Sequence, residues 1–200
     1  ERAVRDHSMQ IDVPEVKAAS DTLKRTLKEI NKCEDIDRLR GLEGEAASTY
    51  FRAFDELILQ QKKDFIFQGR NKRPPMDNVN ALLSFVYTLL ANSMASALEA
   101  VGLDPYVGFM HTDRPGRCSL ALDMMEEFRT WWADRLVLSM INMKQAKPGG
   151  FTQSESGAVL MDDAMRKAII GEWQSRKQDE IIHPYTGEKI AIGMLPHMQA

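Results

Sequence analysis

The sequence predicts an all-α fold, a compact multi-helix domain arranged around one central apolar helix. Apolar residues recur at intervals of three and four along most of the chain, which is the period of an amphipathic helix. No segment shows the alternation that is typical of a half-buried strand. A length of 200 residues is sufficient for one well-buried core.

Five helical segments follow from this spacing and from the residues that begin and end helices. The third is the most continuously apolar, so we expect it to be the central core helix. In chain order, the predicted helices are one capped by Ser20 and Asp21, one from Ile36 to about Gln61, one capped by Asp77 that ends at Gly102, one capped by Ser119 that continues to Trp131 or Trp132, and one from about Asp162 to Ile181.

The composition is that of a globular protein that folds in water. Hydrophobic residues make up 44% and charged residues 28% of the chain, which argues against a disordered, fibrous or membrane protein. No apolar run is expected to reach the roughly 20 residues that cross a bilayer, and no signal peptide is recognised, so a cytoplasmic location is predicted. Cys33 and Cys118 are isolated, which argues against a disulfide framework or a zinc ribbon.

Two glycines, Gly41 and Gly44, lie inside the second predicted helix. Each destabilises a helix interior by roughly 1 kcal/mol relative to alanine, so some other interaction should offset the loss. One account is close packing of a neighbouring helix on a smooth face, and the other is close approach of a ligand or a DNA backbone. The sequence does not decide between them.

Acidic side chains form a pair on the fourth predicted helix. Asp123 and Glu126 are three residues apart, which places both carboxylates on one face of a helix. An isolated pair of this kind is more often a solvated acidic surface than a site. His111, Arg114 and Arg117 precede the pair in the loop that leads into this helix, and carboxylates, an imidazole and guanidinium groups together suit a divalent metal ion beside a phosphate.

Four blocks of sequence then stand out, in this order. They are Gly41-Leu42-Glu43-Gly44 with Ala46-Ala47 and Tyr50-Phe51, Asn80-Ala81-Leu82-Leu83-Ser84 with Tyr87, Gly108-Phe109-Met110-His111, and Ser119-Leu120-Ala121-Leu122-Asp123 with Glu126-Glu127-Phe128-Arg129. These blocks resemble the CRISPR adaptation integrase, the family numbered one among the Cas proteins, which inserts new spacers into a CRISPR array. The resemblance extends over nearly the whole chain.

The resemblance implies a metal-dependent DNA endonuclease and integrase. Glu43, His111, Asp123 and Glu126 match the family's metal site, which would hold Mg²⁺ or Mn²⁺. Glu126 stands where the family often has aspartate, and either residue offers a carboxylate. His111 could ligate the ion or transfer a proton, and the presence of three carboxylates favours ligation.

The resemblance also implies partners and a domain organisation. The family joins an amino-terminal β-domain to a carboxy-terminal helical catalytic domain, and residues 1–200 resemble only the second, as a fragment of a longer chain. The implied assembly contains a homodimer of the full-length protein, a small ferredoxin-like Cas partner and double-stranded DNA. The DNA is both the incoming spacer and the CRISPR repeat.

Candidates for contact with DNA phosphates are Lys72, Arg73, Arg114 and Arg117, although each is equally compatible with a plain surface charge. The net charge of −3 is unusual for a DNA-binding chain, but an active site rich in carboxylates contributes to it.

Two other functions stay open at this stage. Glu180 and His183 have the ligand spacing of a di-iron carboxylate protein, although that helical fold uses the motif twice and the chain offers one copy. The second alternative is a non-catalytic helical scaffold, in which the acidic groups face solvent and the apolar faces bind a partner.

Overall fold

The computed structural model describes residues 13–112, 114–183 and 186–200. The helices in these ranges are α1 (Pro14–Ile30), α2 (Ile36–Ala53), α3 (Asn78–Ala100), α4 (Ser119–Phe128), α5 (Arg135–Asn142), α6 (Asp163–Lys177) and α7 (Leu195–Gln199). A π-helix (Arg129–Asp134) joins α4 to α5, and single 3₁₀ turns occur at Phe54–Leu57, Pro148–Gly150 and Ile192–Met194. The predicted all-α class is confirmed.

Two short antiparallel hairpins were not expected. Strand β1 (Phe151–Gln153) pairs with β2 (Val159–Met161), and β3 (Glu180–Ile182) pairs with β4 (Lys189–Ala191). Each strand has three residues, which is too short for an alternating pattern to be recognised in a sequence. The fifth predicted helix is accordingly too long, since α6 ends at Lys177 before β3 begins.

Helix α1 begins earlier than predicted, at Pro14 rather than at Ser20. Proline suits the first position of a helix, because the N–H group that it lacks has no partner there. Ser20 lies on the buried face of α1 together with Val16 and Leu23, so it is part of the packed surface and not a cap.

Helix α2 ends at Ala53 instead of continuing to Gln61. Side chains from elsewhere bind the backbone that would otherwise extend the helix. The Asn142 Oδ1 atom accepts hydrogen bonds from the N–H groups of Leu59 and Gln60 at 2.7 and 3.1 Å. The local spacing of apolar residues does not indicate these long-range contacts.

Helix α3 is the central helix, as predicted. The Asp77 carboxylate accepts the Asn80 N–H at 2.7 Å as an N-cap, and Gly102 follows the last turn with φ +83°. By length and composition α3 could cross a membrane, so the expectation that no apolar run approaches that length is wrong. Its ten buried side chains, including Leu82, Leu90 and Met94, identify it as a core helix of this fold.

The segment after α4 continues as a π-helix before α5 begins. Cys118, not the predicted Ser119, occupies the N-cap position of α4, and Ser119 is fully buried in the first turn. The π-helix turns Trp132 inward, where its ring stacks on Trp173 of α6 with 4.4 Å between ring centroids. This stack connects the carboxy-terminal part of the chain to the core.

Candidate active site

Three of the predicted metal ligands line one cleft. Glu43 projects from α2, His111 from the loop before α4 and Glu126 from α4 itself, and the cleft has a volume of about 690 Å³. We refer to Glu43, His111 and Glu126 as the acidic wall. The fold therefore brings together side chains that lie far apart in the sequence.

The same cleft is also lined by basic side chains, which we call the basic wall. Its members are Arg52, Arg70, Lys72 and Arg129. Of the predicted DNA contacts, Lys72 belongs to this wall, whereas Arg73, Arg114 and Arg117 do not line the cleft. Burial lowers the pKa of the Lys72 ammonium, and the neighbouring charges of Arg129 and Arg70 lower it further.

Asp123 is placed differently from the other predicted ligands. Its carboxylate accepts the backbone N–H groups of Phe109, Met110 and His111 at 2.6, 3.0 and 3.0 Å. The His111 Nδ1 atom lies 2.6 Å from Asp123 Oδ1. Burial raises the pKa of the Asp123 carboxyl, but these hydrogen bonds outweigh burial and the net pKa is lowered. Asp123 thus faces the loop and not the cleft.

The contact with Asp123 determines which nitrogen of His111 faces the site. A carboxylate beside Nδ1 favours the tautomer that carries its proton on Nδ1, which leaves the lone pair on Nε2. A histidine held in this way by a carboxylate is the usual arrangement of a metal-ligating histidine. The geometry therefore suits ligation through Nε2.

Gly108 allows the His111 loop to approach α4 closely. A Cβ atom at this position would lie 2.6 Å from the Ser119 Cβ and 2.9 Å from the His111 carbonyl oxygen. Both distances are too short for a side chain, and the first neighbour belongs to a buried helical residue that cannot move aside easily. The glycine of the Gly-Phe-Met-His block is required by this contact.

Gly41 and Gly44 require a different explanation. Among the described residues, a Cβ atom added at either position would have no atom within 4 Å beyond its own helix backbone. Close packing of a neighbouring helix therefore does not account for them. The surface beside Glu43 is open, as the ligand-approach account requires.

Glu126 is held by an ion pair inside the site. Its Oε1 atom lies 2.7 Å from Arg129 Nη1, and both side chains are largely buried. Burial raises the pKa of the Glu126 carboxyl, the Arg129 charge opposes this shift, and the Glu43 carboxylate adds to it. Arg129 lies three residues after Glu126, a spacing that predicts such a pair on a helix, although it was not used in the sequence analysis.

Two of the three arginines of the basic wall, Arg70 and Arg129, lie over an aromatic ring. The guanidinium carbons of Arg70 and Arg129 lie 5.2 and 5.8 Å from the centroid of the Tyr87 ring. Arg70 also donates to the Asn80 Oδ1 at 2.7 Å and to the Ser84 Oγ at 3.1 Å. Arg70 is a site residue that the sequence analysis missed, although it belongs to the same basic loop as Lys72.

A buried carboxylate binds the hydroxyl group of this tyrosine. Asp134 is fully buried and accepts hydrogen bonds from the hydroxyl groups of Tyr50 and Tyr87 at 2.8 and 2.5 Å. Burial raises the pKa of Asp134 to about 6, against the opposing effect of the two tyrosine hydrogen bonds. Asp134 thereby fixes the orientation of Tyr87, on which the arginines rest.

The donor groups of the acidic wall suit a divalent cation, but they are not assembled around one point. Within residues 13–112, 114–183 and 186–200, no three His, Cys, Asp or Glu side chains are close enough together to hold an ion. Glu43 is exposed, whereas Glu126 is bound to Arg129, so ligation of one ion by both would require the Glu126–Arg129 ion pair to open. The chemistry of the donors fits Mg²⁺ or Mn²⁺, which bind carboxylate oxygen and imidazole nitrogen.

The di-iron alternative has no support from this geometry. Glu180 belongs to strand β3 and His183 follows it, whereas the ligand pair of a di-iron bundle lies on a helix. Neither residue lines the cleft that contains Glu43 and Glu126.

Comparison with known proteins identifies the family. A family model described as "CRISPR associated protein Cas1" matches residues 1–175. The chain belongs to the Cas1 family. The resemblance carried by the four sequence blocks is thereby confirmed, and the helical chain corresponds to the carboxy-terminal catalytic domain of Cas1.

The similarity to Cas1 relatives is high over the entire chain. "CRISPR-associated endonuclease Cas1 1" of Chlorobaculum tepidum is 53% identical over 199 residues, which cover 100% of this chain and 58% of the relative. The Cas1 endonuclease of Leptospira interrogans is 45% identical, with 100% of this chain and 78% of the relative covered. The chain thus spans little more than half the length of the Chlorobaculum protein.

A solved Cas1 structure has the same fold. The Cas1 protein of Thermotoga maritima matches with a TM-score of 0.77 and 26% identity, over 90% of this chain and 55% of that one. The order and packing of the helices are therefore those of Cas1.

Proposed function

We propose that this chain carries the catalytic site of a metal-dependent DNA endonuclease and integrase, which inserts new spacer DNA into a CRISPR array. The observation that carries the proposal is the cleft itself, which brings two carboxylates and an imidazole together with basic side chains. Phosphodiester chemistry requires this combination, because the scissile phosphate is negative while the metal ligands are also negative. The names of the relatives as CRISPR-associated endonucleases support the same reaction class.

Glu43, the Nε2 atom of His111 and Glu126 are the residues that would hold the cation, Mg²⁺ or Mn²⁺. When bound, the ion would supply charge neutralisation at the scissile phosphate. Asp123 is a positioning residue in this proposal, because its two oxygen atoms are already used by the loop and by His111 Nδ1. Ligation, not proton transfer, is the role proposed for His111.

The basic wall would bind the phosphate groups that flank the reacting bond. Arg70 and Arg129 present planar guanidinium groups supported by Tyr87, and Lys72 adds a point charge. Arg129 would exchange its ion pair with Glu126 for a phosphate oxygen when Glu126 turns to the cation. One residue would thus couple cation binding to DNA binding.

Double-stranded DNA is the proposed substrate, as incoming spacer and as CRISPR repeat, and the cytoplasm is the proposed location. A homodimer of the full-length protein and a ferredoxin-like Cas partner complete the proposed assembly. The attacking group would be water in nuclease action and a DNA 3′-hydroxyl in integration.

The test compares three single variants with a matched control. Glu43→Ala, His111→Ala and Glu126→Ala should each abolish cleavage and strand transfer, whereas Glu45→Ala, an exposed carboxylate two residues from Glu43, should retain both. Mn²⁺ should raise the thermal unfolding midpoint of the wild type and not that of His111→Ala. Full activity of any purified variant would remove that residue from the site, and activity of all three would favour the scaffold alternative.

A further inference from the structure

The short loop that carries His111 is held from two sides by different helices. From α4, the Asp123 carboxylate accepts the N–H groups of residues 109–111. From α2, the Arg40 side chain binds the carbonyl groups, with Nε donating to the Met110 oxygen at 2.8 Å and Nη2 to the Phe109 oxygen at 3.3 Å. The peptide groups of the loop therefore connect α2 to α4.

Hydrogen bonds are important for the position of this loop because the side chain of Phe109 does not pack against the core. Phe109 is 74% exposed, so it contributes little apolar burial that could fix the loop. On the α4 side the loop is held by Asp123, and on the α2 side by Arg40. Loss of either contact would leave the His111 backbone attached to one helix only.

Arg40 links the loop to the part of α2 that carries Glu43. The two residues are three apart on α2, so they lie on neighbouring parts of one helix face. The Arg40 Nη1 atom also lies 2.7 Å from the Asp37 carboxylate, which restrains the guanidinium on the helix surface. The planar group can therefore present its remaining donors to the two carbonyl groups in a fixed direction.

We propose that Arg40 is a positioning residue, which holds the His111 loop against α2 and thereby sets the separation between the His111 imidazole and the Glu43 carboxylate. The proposal rests on the proposed function in one respect, namely that these two groups ligate the same ion. Arg40 itself does not line the cleft. Its effect is exerted through the backbone of residues 109–110.

The test uses Arg40→Ala with Arg38→Ala as the matched control. Arg38 lies on the same helix with an exposed side chain, and its backbone N–H, which alanine retains, donates to the Asp35 carboxylate at 2.7 Å. Both variants remove one positive charge from α2. Differences between them therefore report the carbonyl contacts of Arg40 and not the charge.

Two measurements are made on each variant. In metal-free protein, hydrogen exchange of the amides of residues 109–111 should be about tenfold faster in Arg40→Ala than in Arg38→Ala. Mn²⁺ titration followed by electron paramagnetic resonance should show about tenfold weaker binding in Arg40→Ala, with the control equal to wild type. Arg40→Lys, which keeps the charge but lacks the planar donor pair, should give intermediate values for both.

The outcomes separate this inference from the proposed function. Equal exchange and equal Mn²⁺ affinity in Arg40→Ala and Arg38→Ala would overturn the positioning role. Faster exchange in Arg40→Ala, in a protein whose wild type binds no Mn²⁺, would retain the loop contact but overturn the metal site. If Arg40→Ala does not fold, Arg40→Lys against Arg38→Lys provides a comparison in which both variants keep the charge.

Discussion

The two walls of the cleft are held in place by different kinds of interaction. On the acidic wall, His111 is fixed through backbone amide and carbonyl groups, which Asp123 and Arg40 bind from two helices. On the basic wall, Arg70 and Arg129 are fixed by side chains, since both lie over the Tyr87 ring and Asp134 binds the Tyr87 hydroxyl group. Loss of a supporting contact should therefore change metal affinity when the contact belongs to the acidic wall, and phosphate affinity when it belongs to the basic wall.

Among the residues that support the two walls, the largest effect is expected for Asp123→Ala. This change removes the acceptor of three backbone N–H groups and of the His111 ring, so the loop and the imidazole both lose their orientation. Loss of such a carboxylate partner typically weakens metal binding by roughly 10- to 100-fold. Calorimetric titration with Mn²⁺ measures the loss, with Glu127→Ala on the same helix as control. An unchanged affinity would show that the acidic wall does not depend on the loop.

A smaller effect, on stability, is expected from the support of the basic wall. Burial raises the pKa of Asp134 from its ordinary value of 3.8 to about 6, so between these values the native state binds the proton more readily than the unfolded chain does. Ionisation of Asp134 thus lowers stability as pH rises through this window.

Asp134→Asn should remove this contribution. Relative to wild type, the free energy of unfolding of the variant should increase by roughly 2 kcal/mol between pH 4.5 and pH 6.5. Urea unfolding of both proteins at the two pH values measures the difference. A constant difference between the proteins would mean that Asp134 titrates outside this range.

The smallest effect is expected for Lys72→Ala, with Arg73→Ala as control. The two residues are adjacent in one loop, but Lys72 lines the cleft and Arg73 does not. Lys72→Ala should weaken DNA binding several-fold and reduce the salt dependence of binding by about one counterion, without changing Mn²⁺ affinity. Fluorescence anisotropy at several salt concentrations measures both quantities. Equal losses in the two variants would mean that phosphate contacts are not confined to the basic wall.

The sequence predicted the residues of the acidic wall and the bounds of the central helix from local patterns. Glu43, His111 and Glu126 each lie in a short block with recognisable neighbours, and the cap at Asp77 and the glycine at 102 delimit the central helix correctly. Local patterns of this kind depend on contacts within a few residues of each other in the chain.

The remaining features depend on contacts between distant segments. Asp123 and Glu126 are three apart, yet a rotation of roughly 60° around the helix is enough to direct one to the loop and the other to the cleft. Asp134 meets Tyr50 and Tyr87 only after folding, and its burial has no local signal. A local signal did exist for Arg129, namely its spacing from Glu126. A weaker one existed for Arg70, namely its position in the basic loop.

The most direct measurement is a crystal structure of the protein with Mn²⁺, in which the ion is located by its anomalous signal. We expect one peak in the cleft, bound by Glu43, by the Nε2 atom of His111 and by Glu126, with Asp123 still bonded to His111 Nδ1 and Arg129 turned away from Glu126. Absence of a peak at saturating Mn²⁺, or an ion bound by Asp123 in place of Glu126, would contradict this arrangement.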